Sequence, residues 1–405
     1  MYFIDALYGK FDLDISKELF SSPELQRLRE IRLCNINSPF ITGGTSLNRF
    51  EHAIGTAYLA QEIIKFHTVH KNEREAFIIA ALLHDVVTAP FGHSLEYLFE
   101  SIKNVNYEHA NIWRMIFSGK TIPSSRYFFC GRKAVLHTLF KHDKVEMIQN
   151  ILEGKHALSS LLVNEIDIDN IDNVFRFAFH IGIPFNKEIP LQLARSLKYK
   201  DAILSVNSKA LRFFEEWFNI RNNLYKYLLE DKGEFVAKAL LERCLIECYK
   251  EDLLSEYDWV LTDAEMYKHI LKEGNKTAQK YIQKLMLMEF PEFREIYYSI
   301  NYGKIDSLLK NKKIQIIEDA FQGGVLLHFI RDVNKTKRPL KTSSIEVSSY
   351  KETLIGYAED RYLIGMFSDT SSNIKKTLSY LENTFNLELH KLNGKDTNEK
   401  QISIF

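Results

Sequence analysis

The chain has 405 residues, 45% hydrophobic and 26% charged, with 53 Lys+Arg against 53 Asp+Glu. That composition suits a globular protein with one large core or a main domain plus satellites, and zero net charge excludes a global basic field for nucleic acid. Cys34, Cys130, Cys244 and Cys248 are too scattered for a disulfide scaffold, and the last two, four apart on a helical pattern, read as small core residues. No leader-like opening and no run of about 18 apolar residues occurs, so neither a signal peptide nor a membrane span is expected, and a cytoplasmic location is.

Helical periodicity dominates the chain. Residues 22–36 (SPELQRLREIRLCNI) open with Pro23 at a first helical position and place Leu25, Leu28, Ile31 and Leu33 near one face. Helices are also predicted over 50–70, 73–87, 94–103 and 107–118, followed by long amphipathic ones over 208–230 and 234–252. Thr262-Asp-Ala-Glu265 is a capping-box pattern that opens another. After residue 340 the texture turns β-branched and aromatic (SSIEVSSY, TLIGYAEDRYLIGMF), with Glu359-Asp360 as a turn, before a last helix in SNIKKTLSYLENTF. The polar, basic stretch 331–343 reads as a linker. The fold class is mainly α, with a small C-terminal α+β module.

The chemistry lies in the helical part. FIIAALLHDVVTAPFGHSLEYL ends a strongly apolar helix on His84 and Asp85. Two polar side chains there cost several kcal/mol of desolvation unless something compensates, and a metal ion does so. RFEHAIGTAYL offers His52 on another amphipathic helix, and NEIDIDNIDNVFRF offers Asp167, Asp169 and Asp172. Such a mixed N/O set suits Mn²⁺, Fe²⁺, Co²⁺, Mg²⁺ or Zn²⁺. A His-Asp dipeptide alone is weak: a second, His142-Asp143, is flanked by lysines and reads as a solvated pair.

The ordered blocks resemble the deoxynucleoside-triphosphate triphosphohydrolase branch of the HD superfamily over the first 190 or so residues. DALYGKFDL resembles its opening hairpin, and SPELQRLREIRLCN its FQRLRxIxQLG helix. NRFEHAIGTAYLA is similar to SRFEHSLGVxxLA, LLHDVVTAPFGHSLE to CHDLGHGPFSHxxE, and IDIDNIDNVFRFAFHIG to IDVDxxDYxxRDxxxxG. A weaker likeness continues through LYKYL and LTDAEMYKHI. The resemblance implies that His52, His84, Asp85 and Asp169 bind a divalent metal, with Asp167 and Asp172 in capping or supporting roles. It implies attack of water on the α-phosphorus with departure of nucleoside and intact triphosphate. His93, with Glu96 one helical turn on, falls on an active-site acid, and His109 on a further active-site histidine, for which an interhelical hydrogen bond is the plain alternative. Arg49 falls on a phosphate contact and Gln26 on a sugar contact. It also implies a homo-oligomer and the division 1–200 HD-domain catalytic core, 201–330 helical extension, 331–405 linker and module.

The departures bear on substrate. Thr88 stands where the family has a histidine, Asn170 where it has a phosphate-gripping lysine, and Asn173 and Phe177 where it has a tyrosine and an aspartate. A triphosphate carries roughly four negative charges, and each charge-assisted bond to it is worth about 1.5–3 kcal/mol. Asn170 and Asn173 are therefore candidate substrate contacts of altered chemistry. The expected substrate is a deoxynucleoside triphosphate. The rivals are a phosphatase or nuclease on nucleotides or single-stranded DNA, and a non-catalytic nucleotide-binding regulator. The linker cations Arg331, Lys335, Lys337, Arg338 and Lys341 read either as a solvated loop or as a regulatory-nucleotide site. Arg126, Arg132 and Lys133 share that ambiguity. Nucleic acid is not favoured, since the stacking pattern of interleaved aromatics is missing.

Overall fold

The computed structural model describes residues 1–34, 37–96, 142–164, 166–200, 203–205, 208–332 and 360–392. A hairpin comes first: β1 (Tyr2–Asp5) and β2 (Gly9–Asp12) pair antiparallel. Asp5 Oδ1 accepts from the Leu7 and Tyr8 amides at 2.8 and 2.9 Å, and Gly9 closes the turn at φ 74°. Helices follow as α1 (Pro23–Arg27), α2 (Arg49–Ile63), α3 (Lys71–Leu83), α4 (His142–Leu152), α5 (Ile168–His180) and α6 (Ile189–Ser196). A short hairpin, β3 (Lys198–Lys200) and β4 (Ile203–Ser205), precedes α7 (Leu211–Glu230), α8 (Lys232–Lys250), α9 (Asp263–Glu273) and α10 (Lys276–Leu287). The fold is mainly α.

Three helices end earlier than their periodicity suggests, the one expected over 50–70 at Ile63, with a 3₁₀ turn to Phe66 beyond it. The helix expected over 22–36 leaves helical geometry after a 3₁₀ turn at Leu28–Glu30. Ile31 is extended there, and Arg32 forms a bridge with Asn48 that lines up the start of α2. The helix expected over 73–87 stops at Leu83, which places His84 at its C-cap and Asp85 in the turn beyond. The run Ala76–Leu83 is buried throughout. Each fully buried Leu, Ile or Phe there contributes about 1.5–3 kcal/mol, which anchors the end of α3 where the polar pair sits. Of the helix expected over 94–103 only its first turn, to Glu96, is described, and that over 107–118 lies outside the described residues. Thr262 forms the expected capping box, its hydroxyl accepting from Glu265 N–H at 3.2 Å while Glu265 Oε2 accepts from Thr262 N–H at 2.8 Å.

A four-stranded antiparallel sheet of order β6-β7-β5-β8 closes the molecule. Its strands are β5 (Phe293–Ser299), β6 (Leu326–Asp332), β7 (Arg361–Ser368) and β8 (His390–Lys391), with α11 (Tyr302–Gln322) and α12 (Ser371–Phe385) packed on it. The boundary expected at residue 331 therefore falls inside β6, and the sheet begins at Phe293. FREIYYS reads as a strand only once it pairs with β7, some seventy residues later, from Phe293↔Ser368 to Ser299↔Tyr362. Helix α8 joins the two regions: it packs on α10 and on β6, with Cys244 and Cys248 buried in it as expected. Among the described residues no helix is long and apolar enough to cross a membrane.

Candidate metal centre

Three helices bring their polar residues to one point. Asn48 caps α2, accepting from Glu51 N–H at 3.0 Å, and this sets His52 on the second turn's inner face. His84 arrives from the end of α3. Asp167 caps α5 by accepting from Asn170 N–H at 2.7 Å, so Asp169 falls in its first turn. His52 Nε2 then stands 3.2 Å from His84 Nε2 and 2.9 Å from Asp169 Oδ1, while His84 Nε2 lies 3.7 Å from that oxygen. Asp85 Oδ2 lies 3.5 Å from His84 Nε2 and 3.9 Å from His52 Nε2.

The donor set fits a divalent cation. Two ligand atoms about 2.1 Å from one ion stand roughly 3.0–3.4 Å apart when adjacent, the spacing of the two imidazoles. Each ring is also turned as a metal needs. His84 Nδ1 is 2.7 Å from the Ala81 carbonyl, which can only accept, so Nδ1 donates there and Nε2 is the atom that faces the site. His52 Nδ1 donates likewise to Asp172 Oδ1 at 2.7 Å. Asp85 Oδ1 accepts from Arg49 Nη1 at 2.5 Å and from Thr88 Oγ1 at 3.2 Å, but Oδ2 is buried without a hydrogen bond. A buried carboxylate oxygen left bare is costly, and a cation beside it offsets that cost.

The electrostatics already favour positive charge. Burial opposes charge on His52, yet Asp169 and Asp172 outweigh it and carry its pKa up to about 10. Burial likewise opposes ionisation of Asp169, but His84 and His52 hold it well below the usual carboxylate range. Asp167 moves the other way. Burial and the neighbouring Asp169 charge push it up to about 7, against the pull of the bonds it accepts from the Asn170 and Asn164 amides.

A buried ion network orients His52. Asp172 receives two parallel bonds from Arg176, Nε to Oδ1 at 2.8 Å and Nη2 to Oδ2 at 2.9 Å. Arg176 Nη1 also donates to Asp5 at 2.8 Å and Glu51 at 2.7 Å, which ties the hairpin and α2 to α5. This arrangement fixes ring orientation and raises ligand basicity. Gly55 makes room for it: a Cβ there would lie 2.1 Å from both Arg176 Nη2 and Asp172 Oδ2. Gly55→Ala is therefore expected to dislodge the network, lower metal affinity by about 10–100-fold and lower the melting temperature. Titration of the metal-stripped protein with Mn²⁺ checks this, and wild-type affinity in the variant would uncouple Arg176 from the centre. The signal in the sequence was an Asp172/Arg176 pair four apart within an apolar helix.

The other expected residues distribute as follows. His93 and Glu96 meet, Nδ1 to Oε2 at 2.5 Å, and His93 Nε2 lies 3.1 Å from Arg49 Nη2. Arg49 is buried and bridges Asp85 to His93. Thr88 spends its hydroxyl on Asp85, and Asn170 donates its side-chain amide to Asp167 at 2.9 Å. Asn173 faces Cys34, whose Sγ is 3.9 Å from Oδ1, and Gln26 donates to the Phe20 carbonyl at 2.7 Å. Asp143 is exposed at the start of α4. His109, Arg126, Arg132, Lys133 and the linker beyond Asp332 lie outside the described residues. Sequence reasoning missed Arg27. Its buried guanidinium donates to the carbonyls of Val260 (2.7 Å), Thr88 (2.6 Å), Trp259 and Leu261 (both 3.1 Å), pinning the turn after Asp85.

Residues 49–176 match the HD domain family, and His52, His84, Asp85 and Asp169 all fall within that stretch. Among relatives, the chain is similar to the uncharacterized protein YwfO of Bacillus subtilis, 24% identical over 66% of this chain and 59% of YwfO. It is also similar to the deoxynucleoside triphosphate triphosphohydrolase SAMHD1 of Danio rerio, 25% identical over 60% of this chain and 44% of that protein. The chain thus spans well under two thirds of either relative's length. A crystal structure of a phosphohydrolase from Bacteroides thetaiotaomicron superposes with a TM-score of 0.63 over 91% of this chain and 99% of its own, at 15% identity, which shows the shared fold.

Proposed function

We propose that the chain hydrolyses a nucleotide phosphate ester, a deoxynucleoside triphosphate first among candidates, releasing nucleoside and inorganic triphosphate. The observation that carries this reading is the convergence of His52, His84 and Asp169 with the bare Asp85 Oδ2 beside the His93–Glu96 pair. In this reading the first four are the metal ligands. A divalent ion held there supplies Lewis acidity toward water and toward the phosphate charge. The protein's own groups do the rest. Asp172 holds the His52 ring in register. Arg49, already extended between Asp85 and His93, offers a guanidinium to a phosphate oxygen. A P–O bond forms to water as the bond to the 5′-oxygen breaks, and the departing oxygen takes its proton from His93. Gln26, Asn170 and Asn173 remain candidate substrate contacts, and a homo-oligomer remains part of the reading.

Product analysis separates this from its rivals. With dGTP or dTTP and Mn²⁺, the expected products on anion exchange are nucleoside and triphosphate. Release of single phosphates would move the protein to the phosphatases, and cleavage of labelled single-stranded DNA alone to the nucleases. Metal binding with no turnover on any of them would leave a nucleotide-binding regulator.

A further inference from the structure

A cleft of about 720 Å³ opens beside the metal centre, with His93, Ser94, Cys34 and Asn173 on its HD-domain side. Helices α7, α8 and α11 and strands β6 and β7 of the sheet supply the remaining walls. On the reading above, the group that departs past His93 must occupy this space.

A neutral nucleoside calls for apolar walls and a few hydrogen bonds, which Leu33, Tyr225, Leu229 and Phe329 among others provide. It does not call for cations. Yet Lys238, Lys310, Lys313 and Arg331 line the same cleft against two carboxylates, Glu242 and Asp306. Glu242 is consumed within the wall: Lys313 Nζ lies 2.6 Å from its Oε1 and His328 Nδ1 donates to its Oε2 at 2.6 Å. Lys310 and Arg331 are exposed at the rim, whereas Lys238 and Lys313 are half-buried inside. Lys310 Nζ is 2.9 Å from Asp306, and the Arg331 guanidinium rests 5.1 Å from the centre of the Tyr302 ring. Tyr302 in turn stacks on Tyr362 at 5.2 Å, so Arg331 stands on an aromatic platform. Lys238 Nζ lies 3.5 Å from Glu234 Oε1 behind the wall, so four cations answer three carboxylates and one positive charge remains in excess. Of these residues only Arg331 belongs to the basic run visible in the sequence.

We propose that the cleft receives a leaving nucleoside that carries a phosphate of its own on the 3′ side, gripped by Lys310 and Arg331 at the rim and by Lys238 and Lys313 within. The shared chemistry is a 3′-phosphate, either on a free 3′-phosphorylated nucleotide or as the next phosphodiester of an oligonucleotide. This deepens the proposed function and rests on it for the direction in which substrate lies.

Equilibrium binding to the full chain at fixed salt, with dGMP, deoxyguanosine 3′,5′-bisphosphate and a 5′-phosphorylated dinucleotide as probes, tests it. The bisphosphate is expected to bind about tenfold or more tighter than dGMP, the scale of one added charge-assisted contact. In Lys310→Gln/Arg331→Gln, whose two positions are exposed and tolerant of exchange, that ratio is expected to fall to within about twofold. Equal gain for the dinucleotide would identify an oligonucleotide source, and gain for the bisphosphate alone a free nucleotide. No advantage in the wild type, or an advantage that survives in the double variant, overturns the proposal. Failure to hydrolyse dGTP or any other nucleotide would instead bring down the reading of the metal centre, while the binding ratio would still judge the cleft.

Discussion

Replacing His84 and Asp85 together by Ala is expected to strip the protein of its divalent metal and to abolish phosphohydrolysis. Elemental analysis of the purified variant against the wild type measures the first, and turnover of dGTP with Mn²⁺ the second. The expectation follows from how little else justifies these two side chains. His84 donates Nδ1–H to Ala81 and thereby turns Nε2 toward His52 and Asp169. Asp85 gives one oxygen to Arg49 and Thr88 and leaves the other bare and buried. Removing both deletes half the proposed donor set and leaves His52 and Asp169 facing each other, and two donors hold a divalent ion far more weakly than four. The apolar run Ala76–Leu83 is untouched, so α3 should still fold. Arg49 loses its ion pair in this variant, and thermal melting alongside the metal assay shows whether that matters. The same exchange at His142 and Asp143 should leave metal content unchanged. Full occupancy in the His84/Asp85 variant would mean that the metal sits elsewhere.

What could be read in the sequence was whatever local periodicity and short-range chemistry determine. The mainly helical fold, the capping box at Thr262 and the burial of Cys244 and Cys248 follow from patterns within a turn or two. So does the meeting of His93 with Glu96, three residues apart. The convergence of His52, His84 and Asp169 spans 117 positions from His52 to Asp169 and was reached through resemblance, not through spacing. Where partners are distant and no motif marks them, the sequence was silent. Arg27 looked like one more charged residue on a helix, yet it satisfies carbonyls some 230 positions away. FREIYYS carries strand residues, but its neighbour β7 lies beyond a helix and another strand, so nothing nearby announces the sheet. The cleft is invisible for the same reason. Glu242, Lys313 and His328 come from two helices and a strand, and only the fold shows that they share a wall.

His93→Ala is expected to lower turnover by about 10²–10⁴-fold while metal content stays near that of the wild type. A departing 5′-alkoxide is a strong base, so at neutral pH it needs a proton donor within reach. His93 stands at the mouth of the cleft, its ring set by Glu96 at Nδ1, with Nε2 3.1 Å from Arg49 Nη2. Once Arg49 turns to a phosphate, Nε2 is released to carry and deliver the proton, and Glu96 stabilises the protonated ring. The rival account is that His93 merely packs the turn after Pro90. The structure argues that this turn is held by other means. Phe91 and Gly92 both lie at φ 64°, a backbone that costs a phenylalanine of order 1 kcal/mol or more. Burial of the Phe91 ring, the bond from its amide to Asp263 Oδ1 at 2.6 Å and the Arg32 guanidinium 5.6 Å from the ring centre offset that cost. None of the three involves His93, so the Ala variant should melt close to the wild type. Glu96→Ala should cost less activity than His93→Ala, and the double variant little more than His93→Ala alone, because the two act as one unit. A well-folded, metal-replete His93→Ala protein with near-normal turnover would refute the proton-donor role and turn attention to His109.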